Sequence, residues 1–168
     1  ENMTDYIRYL EDTVWCNDRS IISGALKGKD ADGTELNYFG AYGRNVDNIS
    51  PSLECSNRND SFTVNSENGN GALTYPIAML TADELTLAGN GWNGYSSDSY
   101  LTIGEHYWSF SPYTYDYCRA IGFRVFAGGY LSNNRVDVVN GLRPSVSLAP
   151  GMMVSAGDGS SISPYEIF

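Results

Sequence analysis

Apolar positions recur along this chain at two different spacings. Met3, Tyr6, Ile7, Leu10 and Val14 lie three or four residues apart, with Asp5, Arg8, Glu11 and Asp12 mostly on the other side. That period predicts an amphipathic first helix ending near residues 15–18. A second helix is signalled by Leu80-Thr81-Ala82-Asp83-Glu84-Leu85. Thr81 fits the N-cap and Glu84 the third helical position, Leu80 and Leu85 fit a hydrophobic staple, and Gly89 supplies the stop. Elsewhere the period is two. Leu142, Pro144, Val146 and Leu148 alternate with Arg143, Ser145 and Ser147, and Ile121, Phe123 and Val125 with Gly122 and Arg124. Val136 and Val138 flank Asp137, while Gly128-Gly129 and Asn133-Asn134 read as turns of an antiparallel meander. Gly157-Asp158-Gly159 predicts a last hairpin returning through Tyr165 and Ile167, and residues 23–73 read as loop-rich. Helices and antiparallel strands in this order predict an α+β fold.

Charge then narrows the class. Ten Lys+Arg stand against twenty Asp+Glu in 168 residues, a formal net charge of −10, and the length suits a single domain over 1–168 with its own core. An acidic chain without a basic run lacks the phosphate contacts that dominate nucleic-acid affinity, so nucleic acid is excluded as partner. No apolar stretch approaches the roughly 18 residues that span a bilayer, so direct membrane insertion by this segment is not expected. A start at Glu1 without Met reads as a fragment or mature product, its anchor or carrier lying upstream. Gly, Tyr, Ser and Asn together make 65 of the 168 residues. The same mixture marks antibody paratopes and, equally, turns of a β-rich fold.

Candidate chemistry is sparse. Cys16, Cys55 and Cys118 permit three different single bridges, and two buried reduced thiols are the alternative. Cys16–Cys55 is preferred because a loop-rich half gains most from a tether, about 4 kcal/mol in the chain-entropy model. A disulfide implies an extracytoplasmic compartment. Asp30-Ala31-Asp32-Gly33 looks like part of a calcium loop, but with Gly33 at its sixth position Gly28 and Phe39 fall where carboxylates are needed. One His and no Cys-x-x-Cys pair leave no zinc site, and no cofactor is expected. His106, twelve residues before Cys118, is the one usual base near a nucleophile, and no spacing singles out a catalytic carboxylate pair. An enzyme is not the expected reading.

Aromatic residues concentrate between 90 and 119: Trp92, Tyr95, Tyr100, Tyr107, Trp108, Phe110, Tyr113, Tyr115 and Tyr117, nine of the chain's 22. Trp108 and Phe110, alternating around Ser109, read as core. Tyr113, Tyr115 and Tyr117 alternate without an apolar partner run, as hot-spot anchors on a surface or as a strand packed on its neighbour.

Several segments resemble a known family. Trp15-Cys16-Asn17-Asp18-Arg19-Ser20, Leu73-Thr74-Tyr75-Pro76-Ile77, Leu80-Thr81-Ala82-Asp83-Glu84 and Tyr107-Trp108-Ser109-Phe110-Ser111-Pro112 are similar to motifs of bacterial extracytoplasmic domains with a C-type-lectin-like fold. So are Gly141-Leu142-Arg143-Pro144-Ser145-Val146-Ser147-Leu148 and the closing Gly157-Asp158-Gly159 with Pro164-Tyr165. That group includes the variable proteins of diversity-generating retroelements, in which adenine positions of a template are randomised to decorate a ligand face. Codons so randomised do not give Lys, Glu, Gln, Met or Trp, and residues 109–140 contain none of the five.

The resemblance implies two helices, an antiparallel β-meander and long irregular loops. It implies scaffold positions at Trp108, Pro112, Phe123, Val125, Gly129, Leu131, Val136, Gly141, Arg143 and Pro144. Variable positions would include Cys118, Ile121, Ser132 and Val138. The ligand-binding set is then Tyr115, Asp116, Tyr117, Arg119, Phe126, Tyr130, Asn133, Asn134, Arg135, Asp137 and Asn140. The Glu-Pro-Asn or Gln-Pro-Asp motif of calcium-dependent sugar binders is absent, and Trp92-Asn93-Gly94 lacks the final Asp of Trp-Asn-Asp. The expected function is non-catalytic recognition of a protein or glycan at a cell surface, on a pilus-like fibre or on a phage particle. A pilin-like structural subunit of a surface fibre is the alternative, and a cell-wall-acting hydrolase a more distant one.

Overall fold

The computed structural model describes residues 6–22, 37–92, 94, 99–116, 119–160 and 162–168. The fold is mixed α+β, with few helices and many antiparallel strands. Its centre is a four-stranded sheet. Strand β6 (Tyr107–Asp116) pairs with β7 (Arg119–Val125), β7 with β8 (Leu131–Arg135), and β3 (Asn37–Tyr38) lines the far side of β6. A second sheet sets β9 (Pro144–Leu148) between β1 (Leu10–Glu11) and β5 (Ile77–Met79). Two short pairs complete the strands: β2 (Trp15–Cys16) with β4 (Ser61–Phe62), and β10 (Val154–Ala156) with β11 (Glu166–Ile167).

The meander follows from its alternation. Phe123 and Val125 of β7 are fully buried, as is Leu131, which stands opposite Val125. With Ala41, Ala82, Leu85, Leu101 and Tyr107 they make the core. The turn at Gly128-Gly129 is present, closed by hydrogen bonds from Phe126 N to Tyr130 O and from Gly129 N to Phe126 O. Asn133-Asn134 is not a turn. Both residues sit within β8, opposite Phe123 and Gly122, because the ladder that begins at Val125 and Leu131 stays in register as far as Ile121 and Arg135. The reversal comes at residues 136–138, which therefore do not form a strand.

Helix α2 (Ala82–Leu87) forms where the capping box placed it. Thr81 Oγ1 accepts from Glu84 N at 3.1 Å, and Glu84 Oε2 accepts from Thr81 N at 2.7 Å. Gly89, at φ 94°, ends the helix: its N–H reaches Thr86 O while Asn90 N reaches Leu85 O, a Schellman closure. Gly157, at φ 90°, likewise turns the last hairpin, where a Cβ would collide with the Pro164 carbonyl.

The first predicted helix is not there. Residues 1–5 lie outside the described residues, and the remainder makes one 3₁₀ turn, Ile7–Tyr9, before extending into β1 and β2. Tertiary pairing overrides the helical spacing. Leu10 and Glu11 pair with Leu148 and Ser147, Trp15 is buried opposite Phe62, and the Asp12 carboxylate accepts from Val64 N and Asn65 N at 2.8 Å each. The loop-rich half has two helical segments among its described residues: α1 (Gly40–Tyr42), continuing as a π-helical turn over Gly43–Asp47, and a 3₁₀ turn over Arg58–Asp60.

One covalent and one ionic tie join that half to β2, to the residues that follow it and to α2. Cys16 and Cys55 form a disulfide with Cα atoms 5.7 Å apart. Arg44, from the π-helical turn, grips both Asp83 oxygens (2.8 and 2.9 Å) and Asp18 Oδ2 (2.6 Å). Burial works to raise the Asp18 carboxyl, but hydrogen bonds from Ser20 and Arg44 outweigh it and hold the group below its ordinary value.

Thr81→Ala removes one half of the capping box and is expected to cost about 1 kcal/mol, while Thr81→Ser stays close to wild type, as read from urea midpoints. Asp18, with a lowered folded pKa, stabilises the fold above its unfolded value near 4 and loses that contribution as pH falls through the folded value. Stability is therefore expected to drop below about pH 4, and Asp18→Asn to flatten that drop; an unchanged slope refutes the assignment.

Candidate functional site

The outer surface of the central sheet carries a groove of about 390 Å³. Its position depends on which face β6 turns inward. Tyr107, Ser109 and Ser111 are the buried set, whereas Trp108 and Phe110 are half-buried on the opposite face. The expectation that Trp108 and Phe110 are core is thus corrected. The reason lies in the polar contacts beneath. Tyr107 Oη donates to Leu101 O at 2.8 Å, and Ser111 Oγ accepts from Ala82 N, at the start of α2, at 3.0 Å. Small serines admit the helix close to the strand, and the large rings go outward.

The register with β7 is irregular on either side of Pro112, yet the inward series Tyr107, Ser109 and Ser111 continues as far as Tyr113. Tyr113 turns into the core, edge-on to Phe123 at 4.9 Å and stacked on Trp92 at 5.4 Å. Burial pushes its hydroxyl well above the ordinary tyrosine value, with Tyr42 and Tyr38 adding to the effect. Tyr115 remains 46% exposed at the end of the groove. Of the three alternating tyrosines one is packed and one displayed, and Tyr117 lies outside the described residues.

Trp108, Phe110 and Pro112 make the apolar wall of the groove, and Met79 and Phe39 line it from β5 and from the residue preceding α1. Gly122 gives the floor its depth. A Cβ there would meet the Trp108 ring at 3.5 Å and Val136 at 3.9 Å, so any longer side chain would occupy the space between them. A glycine inside a strand often marks such a close approach.

The residues expected to bind ligand do not form one patch. Arg119, Arg135 and Asp137 surround a small depression with Ala120 and Val136, two residues that also line the groove. Tyr115 and these three therefore share the end of the meander where β6 meets β7. Arg135 and Asp137 form a two-bond ion pair at 3.0 Å, both half-exposed or more, which orients their charges and adds little stability. Asp116 ends β6 opposite Arg119, and Asn134 lies across from Gly122, on the groove side.

Phe126, Tyr130 and Asn140 sit at the other end of β7, roughly 20 Å away at about 3.3 Å per residue. Phe126 stacks on Tyr130 at 4.7 Å and meets the His106 ring at 4.5 Å. Asn140 Oδ1 accepts from Arg124 Nη1 at 3.0 Å, and the Arg124 guanidinium lies over Phe126. Asn133 points inward and hydrogen-bonds Tyr113. The implied scaffold positions also divide: Phe123, Val125, Leu131 and Gly129 are buried, but Val136 and Pro144 are exposed.

Of the groups considered for catalysis and metal binding, His106 is described and has a backbone partner. His106 Nδ1 accepts from Ala127 N at 3.1 Å, and Cys118 lies outside the described residues, as does the 28–36 stretch of the calcium-like loop. The buried carboxylates Asp60 and Asp83 are bound by Arg19 and Arg44. Among the described residues, no three metal-ligating side chains converge, and no helix is long and apolar enough to cross a membrane.

Sequence reading missed the groove itself. Alternation marked Trp108 and Phe110 and assigned them to the core, and the signal against it was the pair of serines, 109 and 111, able to pack under a helix. Compared with protein-family models, curated proteins and solved structures, the chain matches none, so its site is defined by its own geometry.

Proposed function

We propose that this chain is a non-catalytic recognition domain that binds a protein ligand in the outer groove. The observation that carries this reading is the outward Trp108–Phe110 wall beside a charged rim of Arg119, Arg135 and Asp137. An apolar floor with a polar rim is the anatomy of a protein interface. A large apolar ligand side chain settling against Trp108 would contribute about 2–3 kcal/mol. Rim charges act chiefly on association rate and partner choice.

The Cys16–Cys55 disulfide supports an extracellular or cell-surface setting. The α+β composition, the antiparallel meander and the long irregular connections support the C-type-lectin-like scaffold that the motifs resemble. On that scaffold Tyr115, Arg119, Arg135 and Asp137 are the positions of the implied ligand-binding set placed to touch a ligand in the groove. A near-repeat of the coding region for 109–144, differing at adenines beside a reverse transcriptase gene, is the genomic sign of diversification.

Screening the purified, oxidised chain against a surface-displayed protein library and a glycan array tests the reading. A protein binder is expected whose affinity falls tenfold or more, on the order of 1.4 kcal/mol, in Gly122→Leu and in Trp108→Ala, with the circular dichroism unchanged. Arg135→Ala is expected to slow association more than it speeds dissociation. Binders indifferent to both groove variants, or glycan binders alone, overturn it.

A further inference from the structure

A second cavity, of about 380 Å³, is bounded by β2, β9 and the first turn of α2. It shares no lining residue with the groove, and its volume lies in the range of small-molecule sites. Trp15, Glu84, Arg143, Ser145 and Ser147 supply its polar groups. Trp15 is only 5% exposed, yet its indole N–H has no acceptor. A buried donor left in that state keeps the full penalty of its lost hydration until something accepts from it. From β9, Ser147 Oγ lies 2.8 Å from Thr13 Oγ1, while Ser145 Oγ is bonded to none of the described residues.

Two opposite charges line this cavity without pairing. Arg143 Nη1 donates to Leu101 O at 3.0 Å and its guanidinium lies over the Tyr107 ring, so among the described residues it has no carboxylate partner. The sequence offers no carboxylate after it until Asp158. Glu84 commits Oε2 to the capping box, where it accepts from Thr81 N and Thr81 Oγ1, and no described residue donates to Oε1. A simple anion drawn to Arg143 would meet the Glu84 charge, and a simple cation drawn to Glu84 would meet Arg143. A molecule that carries both charges answers both side chains. Leu80 and Val146 add apolar surface to the same cavity.

We propose that this cavity binds a small zwitterion, an α-amino acid with an apolar side chain, its carboxylate at Arg143 and its ammonium at Glu84. Both contacts are charge-assisted hydrogen bonds, the strong kind, and the guanidinium fork suits a carboxylate. The same carboxylate gives the Trp15 N–H the acceptor it lacks, and the ligand's side chain covers Leu80 and Val146. This site is independent of the groove and of the protein ligand proposed for it.

Isothermal titration calorimetry of the oxidised chain with L-leucine, N-acetyl-L-leucine and L-leucinamide tests this. L-Leucine is expected to bind, and the two analogues, each lacking one charge, to bind roughly tenfold or more weakly. Glu84→Gln removes the carboxylate charge and keeps the capping box, because Gln serves at that helical position as Glu does. It is expected to weaken L-leucine roughly tenfold and to leave N-acetyl-L-leucine no weaker than in the wild type. Trp15→Phe keeps a ring in place, deletes the N–H and also weakens L-leucine; should it misfold, Glu84→Gln carries the test alone. Gly122→Leu, in the groove, binds L-leucine as the wild type does. No binding of L-leucine at millimolar concentration, equal binding of all three compounds, or an affinity untouched by Glu84→Gln overturns the proposal.

Discussion

Arg44 is the residue on which the arrangement turns. Its guanidinium joins Asp18, which follows β2, to Asp83 in the first turn of α2, spanning 26 and 39 residues of sequence. Asp83 is almost fully buried and also accepts from Ser52 N at 3.0 Å, so the loop bearing Cys55 is drawn to the same point. Hydrogen bonds to Asp83 and Asp18 hold the guanidinium above its ordinary value despite partial burial. A buried pair of this kind adds little over an apolar replacement, but removing one partner leaves a stranded charge at a cost of about 3–5 kcal/mol. It therefore acts as a fastener, fixing where α2 begins.

The consequences pass from α2 to the groove by short steps. Ala82 N donates to Ser111 Oγ, and Phe110 N donates to Leu80 O, so the entry of the helix dictates which face of β6 lies beneath it. Once Ser109 and Ser111 are under the helix, period-two geometry sends Trp108 and Phe110 to the outside. The position of the groove is thus set by a helix cap and an ion pair, formed by residues remote in sequence from Trp108 and Phe110. The same inversion appears in β9, where serines face in and Val146 and Leu148 face out. Both outward apolar faces come from strands whose small polar residues were chosen for close packing.

Much of the local structure was legible in sequence. Thr81, Glu84 and Gly89 fix α2 through hydrogen bonds made within the segment, which is why the capping box and its stop appear in the structure as read. Phe123 and Val125 announced a strand and became its core, and Gly157-Asp158-Gly159 turned the last hairpin. The Cys16–Cys55 bridge was preferred from the loop-rich span it closes, and the structure forms it. Where partners are remote, the reading failed. Residues 6–16 carry helical spacing, yet their hydrogen bonds go to Leu148, Phe62, Val64 and Asn65. Asn133-Asn134 has turn chemistry, yet the register with β7 carries it into a strand.

For the candidate site, the sequence by itself determined the residue types: an aromatic-rich segment, few basic residues and an uncharged stretch after Arg143. It also determined that β6 and β9 alternate. Which half of each alternation meets solvent was decided only by tertiary structure, because a strand's two faces are equivalent until something packs on one of them. Here α2 packs on the serine face of β6, and Thr13 meets the serine face of β9. The tertiary fold also divided the expected binding residues, leaving Tyr115, Arg119, Arg135 and Asp137 at the groove and placing Phe126, Tyr130 and Asn140 a strand's length away. Spacing along a chain carries no information about which end of a meander a turn occupies; hydrogen-bonded register does.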